Sequence, residues 1–162
     1  MNTSAATTPF FDELSCGFEI VLVKGPLTPV HLMRWSAAIE NWHRIHYDRS
    51  FATEHDGLPD LLITGSLKQQ FVVQLLKDWA GPDGWVWRVA FQFRGMNMVG
   101  ETLRIWARIR ELRPAQGLGL VYMDIGITNF KGAESTPGSA VIALPFRDGP
   151  SIPYPFVAPP SS

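Results

Sequence analysis

The stretch GSLKQQFVVQLLKDWAGPDGWVWRVAFQFR, residues 65–94, decides the architecture. Leu67, Phe71, Leu75 and Trp79 recur at helical spacing, and Val72 and Leu76 widen the same apolar face. The spacing predicts the longest helix of the chain over 65–80. Gly81-Pro82-Asp83-Gly84 then stops it. Beyond the stop the period changes to two. Trp85, Trp87, Val89, Phe91 and Phe93 are expected on one face of a strand, with Arg88, Gln92 and Arg94 on the other.

Toward the C-terminus the period of two continues. Leu103, Ile105, Ala107 and Ile109 alternate with Arg104, Arg108 and Arg110, and further strands are expected over 121–130 and 140–144. Gly100, Gly117, Gly132 and Pro137 fall between them and suit antiparallel turns. Toward the N-terminus, residues 17–24 read as a strand that Gly25-Pro26 ends. Thr28-Pro29 opens a helix whose stripe is Leu32, Trp35, Ile39 and Trp42. Asp48 is placed to cap a second short helix over 50–55.

Helices followed by strands imply an α+β fold: one antiparallel sheet packed on one long helix. The expected organisation is a single domain over 16–145. A loose polar tail over 1–15 precedes it, and a proline-rich surface tail over 146–162 follows.

The chain has 162 residues, 46% of them hydrophobic and 18% charged, enough apolar material for a core and unlike a disordered chain. Its net charge of −1 gives no global field to attract nucleic acid or an anionic membrane. Six tryptophans lack the basic groove pattern of a base-stacking platform. No apolar run is long enough to span a bilayer, and the N-terminus lacks a secretory pattern. A single cysteine, Cys16, excludes an intramolecular disulfide and fits a reducing compartment. The expectation is a cytoplasmic protein.

Chemistry concentrates in NWHRIHYD, residues 41–48. His43 and His46 lie three apart, Asn41 precedes them, and Asp48 follows. An imidazole can take and return a proton near neutrality. An amide can hold a water by donating and accepting hydrogen bonds, although it is no base. The plain alternative is a solvated helix end with Asp48 as a cap. His46-x-Asp48 also has the spacing of part of a metal site, but His31, His43 and His55 are poor third ligands for lack of a distant strand, and no metal is expected. Glu40 is expected to point to solvent. Ten of the fourteen basic residues are arginine, and six fall between Arg88 and Arg113. They are either the wet face of the sheet or phosphate-binding forks.

The stretch AAIENWHRIHYDRSFATEHDGLPDLLITGSL, residues 37–67, resembles the MaoC-like hydratase and dehydratase family of hot-dog proteins. The likeness is greatest to the branch of fungal mitochondrial 3-hydroxyacyl-thioester dehydratases and mesaconyl-CoA hydratases. It rests on Asn41, His43-Arg44-Ile45-His46-Tyr47-Asp48, Phe51-Ala52, Asp56-Gly57-Leu58-Pro59 and Thr64-Gly65-Ser66-Leu67. The resemblance implies an antiparallel sheet wrapped around a long central helix. It implies addition or removal of water at a 2-enoyl or 3-hydroxyacyl thioester, of CoA or of an acyl carrier, with CoA as part of the substrate and no separate cofactor. It assigns His46 the role of acid and base, Asn41 the water, and the Gly65 amide the thioester carbonyl. Asn41 stands where the commoner motif has a carboxylate. Thr64 and Ser66 stand where the branch has His and Pro, and these two, with Tyr47 and Arg94, are expected to meet substrate. A homodimer is implied, or a heteromer with a related subunit. The two alternatives are a half-catalytic subunit and a hot-dog thioesterase. Only Asp78 is acidic along the long helix, which counts against the thioesterase.

Overall fold

The computed structural model describes residues 8–159. Five strands form one antiparallel sheet in the order β1-β3-β4-β5-β2. They are β1 (Glu19–Lys24), β2 (Trp85–Phe91), β3 (Leu103–Ala115), β4 (Leu118–Asn129) and β5 (Gly138–Leu144). Helix α1 spans Pro29–Ala38, and helix α2 spans Gly65–Ala80, as its periodicity predicts. α2 packs against β1, β2, β3 and β4. Its buried stripe of Leu67, Phe71, Val72, Leu75, Leu76 and Ala80 meets the inward residues of the sheet. These include Leu103, Ile105, Ala107 and Ile109 of β3 and Val121, Met123, Ile125 and Ile127 of β4. Each large apolar side chain fully buried this way contributes roughly 1.5–3 kcal/mol.

The alternation in β3 is realised, because β3 lies inside the sheet and one of its faces meets the core. Its outward arginines lie along carboxylates: Arg104 and Arg108 bind Glu19, and Arg110 binds Asp124. These three arginines thus lie on the wet face of the sheet. β3 and β4 join through a two-residue turn, Gln116-Gly117, with φ of 50° and 80°. Positive φ at both positions is the primed geometry that follows strand twist.

Four expectations need correction. In β2 the strict alternation breaks at Trp87, which the register skips: Val86 pairs with Ile142 and Arg88 with Val141. That bulge turns both Val86 and Val89 toward the core, and leaves Trp85 38% exposed. Helix α1 stops at Ala38, so Trp42 lies outside the stripe and is exposed. The reason is a left-handed C-terminal turn. Glu40 adopts φ of 53°, its N–H bonds the Ala37 carbonyl, and the Asn41 N–H bonds the Ser36 carbonyl at 2.9 Å. The short helix expected over 50–55 is a π-helical turn, Phe51–His55.

The fourth correction concerns the tails. Residues 1–7 lie outside the described residues, but 8–15 are packed. Phe11 is buried, its N–H bonds the Pro145 carbonyl, and its ring meets Phe146 at 5.0 Å. Gly119 leaves room for that ring: a Cβ there would collide with it. In the C-terminal tail, Phe156 stacks on Trp85 at 5.9 Å, so part of that segment covers β2. No helix is long and apolar enough to cross a membrane among the described residues.

Candidate functional site

The histidine segment becomes a site through one strap of backbone. Arg44–His46 forms a single tight turn, with the His46 N–H on the His43 carbonyl and the Asp48 N–H on the Arg44 carbonyl. Asp48 holds it from below. It accepts from Arg44 Nε at 3.0 Å and Nη2 at 2.7 Å, and its other oxygen accepts the Phe51 N–H. Asp48 is thus the cap that the sequence suggests. These bonds, the Phe51 amide first, hold its carboxyl below the usual range.

The turn then docks on residues 61–64. The Leu62 N–H donates to the Ile45 carbonyl at 3.0 Å, and His46 Nδ1 lies 2.8 Å from the Leu62 carbonyl. A carbonyl only accepts, so His46 carries its proton on Nδ1 and presents Nε2 as a bare acceptor. His46 is 7% exposed. Burial pulls its pKa below the ordinary value, the Leu62 carbonyl opposes this, and neighbouring His43 adds to it. Burial thus favours the neutral imidazole, whose Nε2 is free to accept a proton.

On its other side the strap pairs with residues 97–99. The Ile63 N–H bonds the Asn97 carbonyl at 2.8 Å, and the Val99 N–H bonds the Leu61 carbonyl at 2.9 Å. The strap runs straight into α2. Thr64 caps that helix, its Oγ1 accepting the Ser66 N–H at 3.2 Å. Ser66 Oγ shares a 2.7 Å bond with Thr64 Oγ1 and accepts the Trp35 indole N–H at 2.9 Å. Both hydroxyls that were expected to meet substrate are therefore committed to building the helix start. The Gly65 N–H has no hydrogen-bond partner among the described residues. It lies at the positive end of a sixteen-residue helix, where an anionic oxygen is favoured.

A depression of about 450 Å³ opens beside Gly65, lined by Leu62, Ile63, Lys68, Phe93, Arg94 and Met96 among others. Arg94, exposed, lies at its rim. Asn41 and Tyr47 are placed differently. Asn41 Oδ1 accepts the His43 N–H at 3.2 Å, which leaves the amide N–H groups for other partners. The Tyr47 hydroxyl donates to the Trp42 carbonyl at 2.7 Å. Neither side chain hydrogen-bonds His46 among the described residues.

Sequence reasoning missed Lys68, buried and 2% exposed, whose ammonium donates to the Gly95 carbonyl and to Asn97 Oδ1. The signal was present: a lysine three residues before Phe71 and four before Val72 stands on the apolar stripe. Among the described residues no group of three His, Cys, Asp or Glu side chains is arranged to hold a metal ion. Cys16 is exposed and free.

The family profile described as hydroxyacyl-thioester dehydratase type 2 matches residues 17–101. A mesaconyl-C(4)-CoA hydratase from Chloroflexus aurantiacus is 41% identical over 49 residues, covering 30% of this chain but only 18% of that protein. The chain thus matches a small part of that relative's length. An R-hydratase from Pseudomonas aeruginosa superposes with a TM-score of 0.74 at 18% identity, over 94% of this chain and 95% of that one. A chain of the ChsH1–ChsH2 complex from Mycobacterium tuberculosis superposes with a TM-score of 0.69 at 14% identity, over 80% of this chain and 98% of its own. At such identities these superpositions establish a shared fold, the hot-dog arrangement of sheet around helix.

Proposed function

Because the chain belongs to the hydroxyacyl-thioester dehydratase type 2 family, we propose that it adds water to, or removes it from, a 2-enoyl or 3-hydroxyacyl thioester at the His46–Gly65 site. One observation carries the reading. The four-residue span from Leu62 to Gly65 holds, at one end, an imidazole whose Nε2 has no partner among the described residues and, at the other, a helix-start N–H that likewise has none.

In hydration His46 Nε2 takes a proton from water, and the hydroxyl oxygen adds to C3. The electron pair moves through C2 to the carbonyl oxygen, where the Gly65 N–H meets the developing enolate. Protonation at C2 then returns the proton. Dehydration runs the same steps in reverse. Asn41 would orient the water through its amide N–H groups. Thr64 and Ser66 keep the Gly65 amide aimed, a positioning role in place of the direct contact first expected. The chemistry needs no cofactor, and the thioester carrier, CoA or an acyl-carrier protein, is part of the substrate.

The same reading gives the protein a partner copy. β2 is an edge strand, and Trp85, Phe93 and Met96 are exposed along it and beside the depression. A second subunit, identical or related, would cover this surface and complete the acyl channel. The half-catalytic alternative is favoured by the committed Thr64 and Ser66 hydroxyls and by likeness to the two-component ChsH1–ChsH2 complex.

The test is loss of conjugated thioester absorbance with crotonyl-CoA and longer enoyl-CoAs. Activity that His46→Ala removes supports the reading. Full activity in that variant defeats the site. Inactivity alone, restored by co-expressing a related subunit, selects the half-catalytic form, and thiol release without hydration selects a thioesterase.

A further inference from the structure

The buried cation beside the site, Lys68, has no ion-pair partner among the described residues. The Lys68 ammonium gives one N–H to the Gly95 carbonyl at 2.9 Å and one to Asn97 Oδ1 at 3.2 Å. Both acceptors are neutral, and the third N–H is unassigned. Among the described residues no carboxylate lies within ion-pair distance of it. Glu101 is one step away and fully engaged, accepting from Met98 N–H, Asn97 Nδ2 and Asn129 Nδ2. Elsewhere the cations near carboxylates are paired, as Arg44 is with Asp48 and Arg49 with Asp60. Burial pulls the Lys68 pKa down to about 8, with Glu101 partly opposing, so its charge is held at a cost.

Its place in the pocket is specific. Long side chains on a helix lean back toward the N-terminus, which brings Lys68 toward Gly65. Phe93 marks the spot: its ring would contact a Cβ at Gly65 at 2.9 Å, and its centroid is 5.4 Å from Lys68 Nζ. Gly65, Lys68 and Arg94 line one depression, and no acidic residue lines it.

We propose that this depression selects thioesters whose acyl group carries its own carboxylate, and that Lys68 is the residue that recognises it. The proposal rests on the thioester reading above. A carboxylate supplies the missing counter-charge through a short charge-assisted bond. A plain hydrocarbon chain would cover the ammonium and leave it unpaired, so the site discriminates by penalty as well as by attraction. Phosphates of a CoA carrier present similar anionic chemistry, so the test includes thioesters of pantetheine, which has none.

Binding is measured first, by calorimetry with saturated thioesters that cannot be hydrated. Wild-type protein should bind succinyl- and glutaryl-pantetheine about tenfold or more tightly than butyryl- and pentanoyl-pantetheine. Lys68→Met should bring the two classes within about threefold. Equal binding by wild type overturns the proposal, and needs no variant. Should Lys68→Met fail to fold, Arg94→Gln on the exposed rim should still weaken the carboxylated ligands selectively, and an equal loss for both classes counts against the idea. Turnover comes second: kcat/KM for fumaryl-CoA over crotonyl-CoA should exceed about ten in wild type and collapse in Lys68→Met. A Lys68→Met loss confined to CoA esters and absent with pantetheine esters assigns the cation to the carrier and overturns the proposal. Selective binding without any hydration defeats the hydratase reading and leaves this one standing.

Discussion

His31 and His46 show how the backbone decides what a histidine is for. At the start of α1, His31 Nδ1 accepts the Thr28 N–H at 3.0 Å. It is the third residue of the helix and does what a glutamate does in a capping box. Its ring is exposed, and its proton is left to Nε2. At the strap, His46 Nδ1 faces a carbonyl at 2.8 Å and must carry the proton itself. Two nearly equal hydrogen bonds fix opposite tautomers. One turns the ring into a structural acceptor, and the other leaves a buried nitrogen free for the acid–base role proposed for it.

The largest break in this comparison should come from removing each ring. His46→Gln is expected to lower kcat on an enoyl thioester by roughly 10²–10⁴-fold, the range for a general acid–base group. His31→Gln should leave it within about twofold, since that ring helps only a helix end. Nitrogen NMR at neutral pH sharpens the same point: His46 should be protonated on Nδ1 and His31 on Nε2.

Next in size is pH. The folded-state pKa of His46 lies below the ordinary value of 6.5. The unfolded chain therefore takes up this proton first as pH falls, and stability is lost from about 6.5 down to the folded value. Hydration should fall over that lowered range, with its midpoint below 6.5. Urea unfolding between pH 5 and 8 should show the loss in wild type, and His46→Gln should flatten it. A hydration midpoint above 6.5 would contradict the burial of the ring.

A smaller effect belongs to the cap. His31→Ala should cost about 0.5–1 kcal/mol in urea unfolding, and His31→Glu should recover most of it by accepting the same N–H. Smallest is the other end of α1. Glu40 holds φ of 53°, which glycine adopts without a Cβ penalty. Glu40→Gly should stabilise by about 0.5 kcal/mol, the conformational relief being partly offset by a more flexible unfolded chain. No change in activity should accompany it.

Much of this was legible because it is local and periodic. The stripe of α2, the alternation of β3 and the Gly117 turn each repeat a rule within a few residues. The cap by Asp48 is equally local. Most of what escaped is set by partners distant in sequence, the end of α1 being the exception, set by the left-handed backbone at Glu40. Helix α1 ends where Asn41 finds the Ser36 carbonyl, although the apolar spacing continues to Trp42. The β2 bulge depends on pairing with β5, fifty or so residues on. Phe11 reads as tail until Pro145 and Gly119 receive it. The site divides in the same way. His46 and Gly65 stand out by motif, whereas the carbonyl that sets the His46 tautomer lies sixteen residues away. Lys68 escapes for the same reason: its partners Gly95 and Asn97 lie 27 and 29 residues on.

The strap of residues 61–64 has a consequence for how this protein loses activity. It is bonded to Ile45 and His46 on one side and to Asn97 and Val99 on the other. His46 and the start of α2 therefore cannot loosen independently. The amides of Leu62, Ile63 and Val99 should exchange with deuterium as one unit, at a single opening free energy. Any stress that reaches the strap should switch the site off as a whole, with little range of partly active states between.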